Sequence, residues 1–123
     1  MADAPSIEWL PDVEEHDYPA AESYLTLCYP KSQVTPLVDK LRKAKLTEFK
    51  AKDIFRASQL SLLGVSNYHV ERDRKKIKKG TPLSPILLVR DPKHSRLIIA
   101  DGYHRLCAIY SFDENVLVRC KIV

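Results

Sequence analysis

Two short apolar runs stand close together in this chain: Pro85-Ile86-Leu87-Leu88-Val89 and Leu97-Ile98-Ile99-Ala100, with Asp91-Pro92-Lys93-His94-Ser95 between them. Neither run alternates apolar with polar residues, as expected of strands buried on both faces. The cluster between them reads as a turn. Strands covered on both faces need helices packed over the sheet. With 123 residues, the chain supplies one compact domain and excludes a two-domain enzyme with separate cores.

The flanking segments provide those helices. Asp101-Gly102 punctuates the second run, and residues 103–112 read as a helix with Leu106, Cys107, Ile109 and Tyr110 inward. Val116, Val118, Cys120 and Ile122 alternate with Leu117, Arg119 and Lys121, which predicts a closing strand. Upstream, Ser66 or Asn67 can cap a helix that runs to Lys79 and stops at Gly80, after a loop around Gly64. Val70 and Ile77, with Tyr68, are its only apolar residues, and Glu71 with Lys75 forms an i, i+4 pair. Phe49 to Ser58 reads as a strand followed by a loop. A helix capped by Ser32 or Thr35, with Pro36 in its first turn, carries the stripe Val34, Leu37, Val38, Leu41. Another starts at Asp17 or Tyr18 before Pro19, presents Ala21, Tyr24, Leu25 and Cys28 on one face, and ends at Pro30. The fold class is therefore α+β, a mixed sheet flanked by helices with an added helical N-terminal segment. Residues 1–18 form an acidic arm that Ile7, Trp9 and Leu10 can pin, and 19–123 one domain in which 19–48 are a helical extension.

Charge is divided along the chain. Residues 1–22 hold seven acids and no Lys or Arg; the remainder carries all 20 basic groups against nine acids, a surplus of 11. A basic body suits an anionic partner such as nucleic acid, a nucleotide or a phosphorylated metabolite, and equally suits a solvated surface balanced by its own arm. No stretch is long and apolar enough to span a bilayer, so no membrane partner is expected, and no secretory signal is visible. Three scattered cysteines fit a reducing cytoplasm. The four histidines show no metal-ligand spacing, so no structural metal is expected.

Asp101-Gly102-Tyr103-His104-Arg105 lies where a buried strand turns into a helix. The first turn of a helix offers unpaired N–H groups and partial positive charge to an anion, and glycine permits close backbone approach. His104 and Arg105 oppose the dipole there, at about 0.3–1 kcal/mol per cation. A bound phosphate would reverse that cost. The alternative is local: Asp101 caps the helix and pairs with Arg105 at i, i+4. Asn67 and His69 can line the same pocket or simply cap their own helix. Lys50, Lys52 and Asp53 can serve a phosphate or lie solvated.

Leu83-Ser84-Pro85-Ile86-Leu87-Leu88-Val89, then Leu97-Ile98-Ile99-Ala100-Asp101-Gly102-Tyr103-His104-Arg105-Leu106-Cys107-Ala108, then a closing strand, resembles the bacterial-type ParB/sulfiredoxin-like superfamily. The resemblance extends back over residues 67–123, about half the chain. It implies a site for a nucleotide, ATP or CTP with Mg2+, or for another phosphorylated small molecule. Gly102, His104 and Arg105 would contact phosphates, Asp101 would shape the turn or sit near the metal ion, and Tyr103 would belong to the same nucleotide- or phosphate-binding set. Sulfiredoxins carry their nucleophilic cysteine where this chain has Tyr103, so their chemistry is not expected here. ParB partition proteins continue into a helix-turn-helix, whereas this sequence stops at Val123.

Three functions follow as expectations. The first is nucleotide or phosphate binding at 101–105, with phosphoryl transfer as the reaction class if one occurs. The second is a nucleic-acid-binding or nuclease accessory protein using Arg72, Arg74, Lys75, Lys76, Lys78 and Lys79 on the helix at 67–79. The third is a non-catalytic protein-interaction module. No general base and no oligomeric state can be read from the sequence.

Overall fold

A computed structural model describes residues 5–63 and 67–123. Five helices and four strands follow in order: α1 (Asp17–Leu25), α2 (Lys31–Lys43), β1 (Thr47–Lys50), α3 (Ala51–Ser58), α4 (Tyr68–Lys78), β2 (Ile86–Asp91), a 3-10 turn (Pro92–His94), β3 (Arg96–Asp101), α5 (Tyr103–Phe112) and β4 (Leu117–Ile122). The sheet order is β1-β4-β2-β3. β2 and β3 are antiparallel, as are β1 and β4, while β2 and β4 run parallel. The parallel pair needs a crossover, and α5 provides it. The result is a small α+β domain with a mixed sheet flanked by helices.

Alternation in the two apolar runs separates the core into two layers. Ile86, Leu88 and Ile99 pack with α3, α4 and α5, whereas Leu87, Val89, Ile98 and Ala100 pack with α1 and α2. Successive strand side chains point to opposite faces, so unbroken hydrophobicity is what a sheet covered on both sides requires. Between Leu87 and Leu88 the register with β3 shifts, so that Asp101 pairs with Leu87 and Ile99 with Leu88. This irregularity sits just before the strand–helix junction and re-aims its side chains.

The N-terminal arm is fixed to the body. Trp9 bridges Leu83, the Leu83 N–H donates to the Glu8 carbonyl at 2.8 Å, and the Leu10 N–H donates to the Leu83 carbonyl at 2.9 Å. Ile7 and Trp9 pack on the core beneath. The arm therefore runs across the entry to β2 and delivers Glu14 and Asp17 to Ser84.

Several sequence expectations are corrected. The stretch after Phe49 is helix, not loop: Ala51, Ile54 and Ser58 are buried in α3 at helical spacing. Its first N–H groups, of Ala51 and Lys52, donate to the Val116 and Glu114 carbonyls. Burial of that face outweighs the short polar alternation before it. α1 stops at Leu25, five residues before Pro30, and leaves Tyr24 exposed. α2 starts directly after Pro30, so neither Ser32 nor Thr35 caps it and Pro36 lies within it. Tyr68 points to water, with 72% of its surface exposed. Glu71 pairs with Arg74 at 3.7 Å rather than with Lys75, because Arg74 is drawn in against the Phe112 ring. Asn67 caps α4, accepting from the His69 and Val70 N–H groups at 3.0 and 3.3 Å; Ser66 and Gly64 lie outside the described residues. Gly80 ends α4 with φ +76°, and bonds from Gly80 to Ile77 and from Thr81 to Lys76 close the turn.

Lys121 is the largest surprise in β4. Strand alternation puts it outward, but α1 and α2 cover that face and leave it 4% exposed. Its ammonium donates to the Tyr18 hydroxyl at 3.0 Å and the Arg42 carbonyl at 2.9 Å, and lies 3.4 Å from Asp12. Burial opposes its charge, yet the Tyr18 and Asp12 contacts hold its pKa above the ordinary value.

Candidate functional site

The strand–helix junction opens into a cleft of about 250 Å³. Three parts of the chain form it: Glu14, His16 and Asp17 from the arm and the start of α1; Arg72, Asp73 and Lys76 from α4; and Asp101 to Arg105.

Gly102 is the pivot. Its φ is +107°, and a Cβ would stand 2.4 Å from Ile86 Cγ2. The glycine is thus required by its own backbone and by the packing of β2 beneath it. It is also the N-cap of α5 and offers no side-chain acceptor, so no side chain caps the first turn of that helix. Asp101 is therefore not the cap.

At Arg105 the structure shows the local pairing that the sequence left as an alternative, and adds a second partner. Its Nη2 donates to Asp101 Oδ2 at 2.9 Å, and its Nη1 donates to Asp17 Oδ2 at 3.2 Å. Only 16% of the side chain is exposed. The i, i+4 partner was visible in the sequence; the second, 88 positions away, was not. Asp17 also accepts from Ser84 Oγ at 2.6 Å, and Ser84 Oγ accepts from the Glu14 N–H at 3.0 Å. One guanidinium thus serves two carboxylates. Burial pushes Asp101 up to a pKa of about 6; Arg105 pulls it down, and the neighbouring Asp17 charge adds to the rise.

His104 points the other way. Burial lowers its pKa, the nearby His69 and Arg72 lower it further, and Asp73 opposes them. Its ring lies 4.8 Å from that of His69. With His104 neutral and Arg105 matched to two acids, the dipole mismatch inferred from the sequence disappears. The cations left facing the cleft are Arg72 and Lys76.

Asp73 was not singled out in the sequence, where it reads as one more charge on a polar helix. It falls between Val70 and Ile77 on the inward stripe and is 3% exposed. Among the described residues its nearest cation is Arg72, with Nε at 3.9 Å. Asp17 and Ser84 were equally hidden, because only the docking of the arm brings them to the junction.

The other sequence candidates are dispersed. Tyr103 donates its hydroxyl to the Ser61 carbonyl and so ties the junction to the segment after α3. Arg74 binds Ser111 and stacks on Phe112, away from the cleft; Lys78 also approaches Phe112. Lys75 and Lys79 are exposed and do not line the cleft. Asp53 pairs with Arg56 and lines a separate apolar groove of about 450 Å³. Cys107 is buried, and burial raises its thiol pKa. Among the described residues, no group of three or more His, Cys, Asp or Glu side chains is gathered to hold a metal ion, and no helix is long and apolar enough to cross a membrane.

Comparison with protein-family models, with curated proteins and with solved structures returned no match to this chain.

Proposed function

We propose that the cleft at the β3–α5 junction binds a phosphorylated small molecule, with a nucleotide as the leading candidate. The observation that carries this reading is the first turn of α5, which no side chain caps, opening into a cleft that Arg72 and Lys76 also face. Backbone N–H groups at such a turn, beside two cations, suit a phosphate group. The resemblance of residues 83–123 to ParB/sulfiredoxin-like domains supports the same reading, since that family holds nucleotide phosphates at this junction. The assignment of contacts differs from the sequence expectation: Arg72, Lys76 and the α5 amides would meet the phosphates, while Arg105 holds Asp17 and Asp101 in place.

A nucleotide would bring its Mg2+ with it. Magnesium takes one or two carboxylates together with phosphates and water, and Asp73 and Asp101, both in the cleft lining, would be the carboxylates to offer it. A second cleft of about 610 Å³ shares Asp101 to His104 and has Ala20, Tyr24, Leu60 and Ile99 in its walls, suited to a less polar part of the ligand. If a reaction follows, phosphoryl transfer is the class favoured, because the site offers positioning and charge neutralisation. Asp101, with its pKa near 6, is the group best poised to take a proton near neutrality.

The test is thermal stability with ATP or CTP and magnesium, and with pyrophosphate. A ligand that binds the folded state must raise the melting temperature by mass action. The rise should shrink in Arg72→Ala and in Lys76→Ala, whose side chains lie at the surface. No rise with any of these ligands at millimolar concentration would overturn the reading.

A further inference from the structure

Four aromatic rings form a row from solvent to the junction. Tyr68 stands edge-on to His69 with centroids 5.4 Å apart, His69 lies 4.8 Å from His104, and His104 lies 5.6 Å from Tyr103. The outermost ring is the least explained by packing: Tyr68 is 72% exposed and belongs to neither core layer. Helical spacing puts cations beside this row. His69, Arg72 and Lys76 follow at i, i+3 and i+7, and Tyr68, Arg72, Lys75 and Lys79 at i, i+4, i+7 and i+11.

The charge on this face is uncompensated. Among the described residues, Lys75, Lys76 and Lys79 have no carboxylate within ion-pair distance, and Arg72 has only Asp73, at 3.9 Å. The acid Glu71 instead pairs with Arg74, which lies against Ser111 and Phe112. The Glu71–Arg74 pair thus lies toward α5, while Lys75, Lys76 and Lys79 stand without a carboxylate partner among the described residues. From Tyr68 to Lys79 this face runs roughly 16 Å along the helix.

Exposed rings next to a track of free cations match one chemistry. Every nucleobase has a π face that stacks on an aromatic side chain, and the linked phosphates follow positive charge. A duplex hides its base faces, so the arrangement favours unpaired bases. We propose that this face of α4 binds single-stranded nucleic acid, with a base stacked on the exposed Tyr68 ring and the backbone tracking Arg72, Lys75, Lys76 and Lys79. This face shares Arg72 and Lys76 with the cleft, but Tyr68, Lys75 and Lys79 do not line it, so variants at those three separate the two readings.

Fluorescence anisotropy with labelled oligo(dT) and oligo(U) of about twelve nucleotides, and with a DNA duplex of equal length, tests it on the full chain. Single strands should bind more tightly than duplex, and the two labels distinguish DNA from RNA. Tyr68→Ala should weaken single-strand binding about tenfold without changing its salt dependence. The double variant Lys75→Ala/Lys79→Ala should reduce the log–log salt slope by about 0.7 for each phosphate that is no longer neutralised. These side chains are exposed, so unchanged melting temperatures will confirm the fold. The nucleotide-induced rise in melting temperature should survive in both variants, which separates failure here from failure of the cleft reading. Absence of oligonucleotide binding, equal binding of duplex, or indifference to Tyr68→Ala would overturn the proposal.

Discussion

The two ends of the β2–β3 hairpin handle an aspartate in opposite ways. At the turn, Asp91 is 4% exposed and accepts from Arg96 Nε at 3.1 Å and meets His94 Nδ1 at 2.9 Å. Burial works to raise its pKa, but Arg96 and His94 overcome it and hold the carboxyl below the ordinary range. At the other end, Asp101 shares a single guanidinium with Asp17 and is pushed up to about 6. One carboxylate with two partners makes a finished turn. Two carboxylates with one cation leave a group that titrates near neutrality, and a cleft opens beside it. Burial is the largest influence at both ends; at Asp91 the Arg96 and His94 contacts outweigh it, whereas at Asp101 the shared Arg105 does not and the Asp17 charge adds to the rise.

The strongest way to break this comparison is to remove the shared cation. Arg105→Ala should cost about 3–5 kcal/mol in a denaturant melt, because it leaves two carboxylates together without their guanidinium. A loss below about 1 kcal/mol would show that the cluster behaves like a surface pair.

Gly102→Ala should come next, at about 1–3 kcal/mol. Its Cβ would meet Ile86 Cγ2 at 2.4 Å, and the positive φ adds strain whatever the neighbour does. A near-neutral result in the same melt would mean that β2 yields easily and that the junction is less rigid than its packing suggests.

The smallest effects, and the sharpest contrast, come from pH. Asp101 has a raised folded pKa, so the folded state binds a proton that the unfolded chain releases near pH 4. Ionised Asp101 therefore lowers stability, and that penalty is relieved as pH falls from about 6 toward 4. The melting temperature of the natural chain relative to Asp101→Asn should rise over that window. Asp91 has a lowered folded pKa, so its contribution is present above its unfolded value and lost as pH falls through the folded one. The advantage over Asp91→Asn should shrink below about pH 4. Melting curves of the three proteins across these pH ranges check both signs; parallel trends would erase the distinction between the two ends.

Legibility followed the scale of the interaction. β2, β3 and α5 were readable because each is an uninterrupted apolar run or a clear helical stripe bounded by turn residues. α3 was missed although Ala51, Ile54 and Ser58 carry helical spacing, because Phe49-Lys50-Ala51-Lys52 alternates first and β1 does end at Lys50. At the site, the five residues from Asp101 to Arg105 were found by their position at a strand–helix junction. Asp17, Asp73 and Ser84 carried no comparable mark. An aspartate in an acidic arm, another in a charged helix and a serine before a proline have many ordinary explanations.

The sequence by itself determined the strands, the helix that follows them, the glycine pivot and the surplus of positive charge, since hydrophobic periodicity and backbone preference act over a few residues. Only the tertiary structure decided which charges remain available. Docking of the arm assigned Arg105 to Asp17 and Asp101, the layer of α1 and α2 buried Lys121, and the approach of α4 to α5 set His69 against His104. Coulombic and hydrogen-bond energies depend on separation in space and on access to water, and neither quantity is written in the order of the residues.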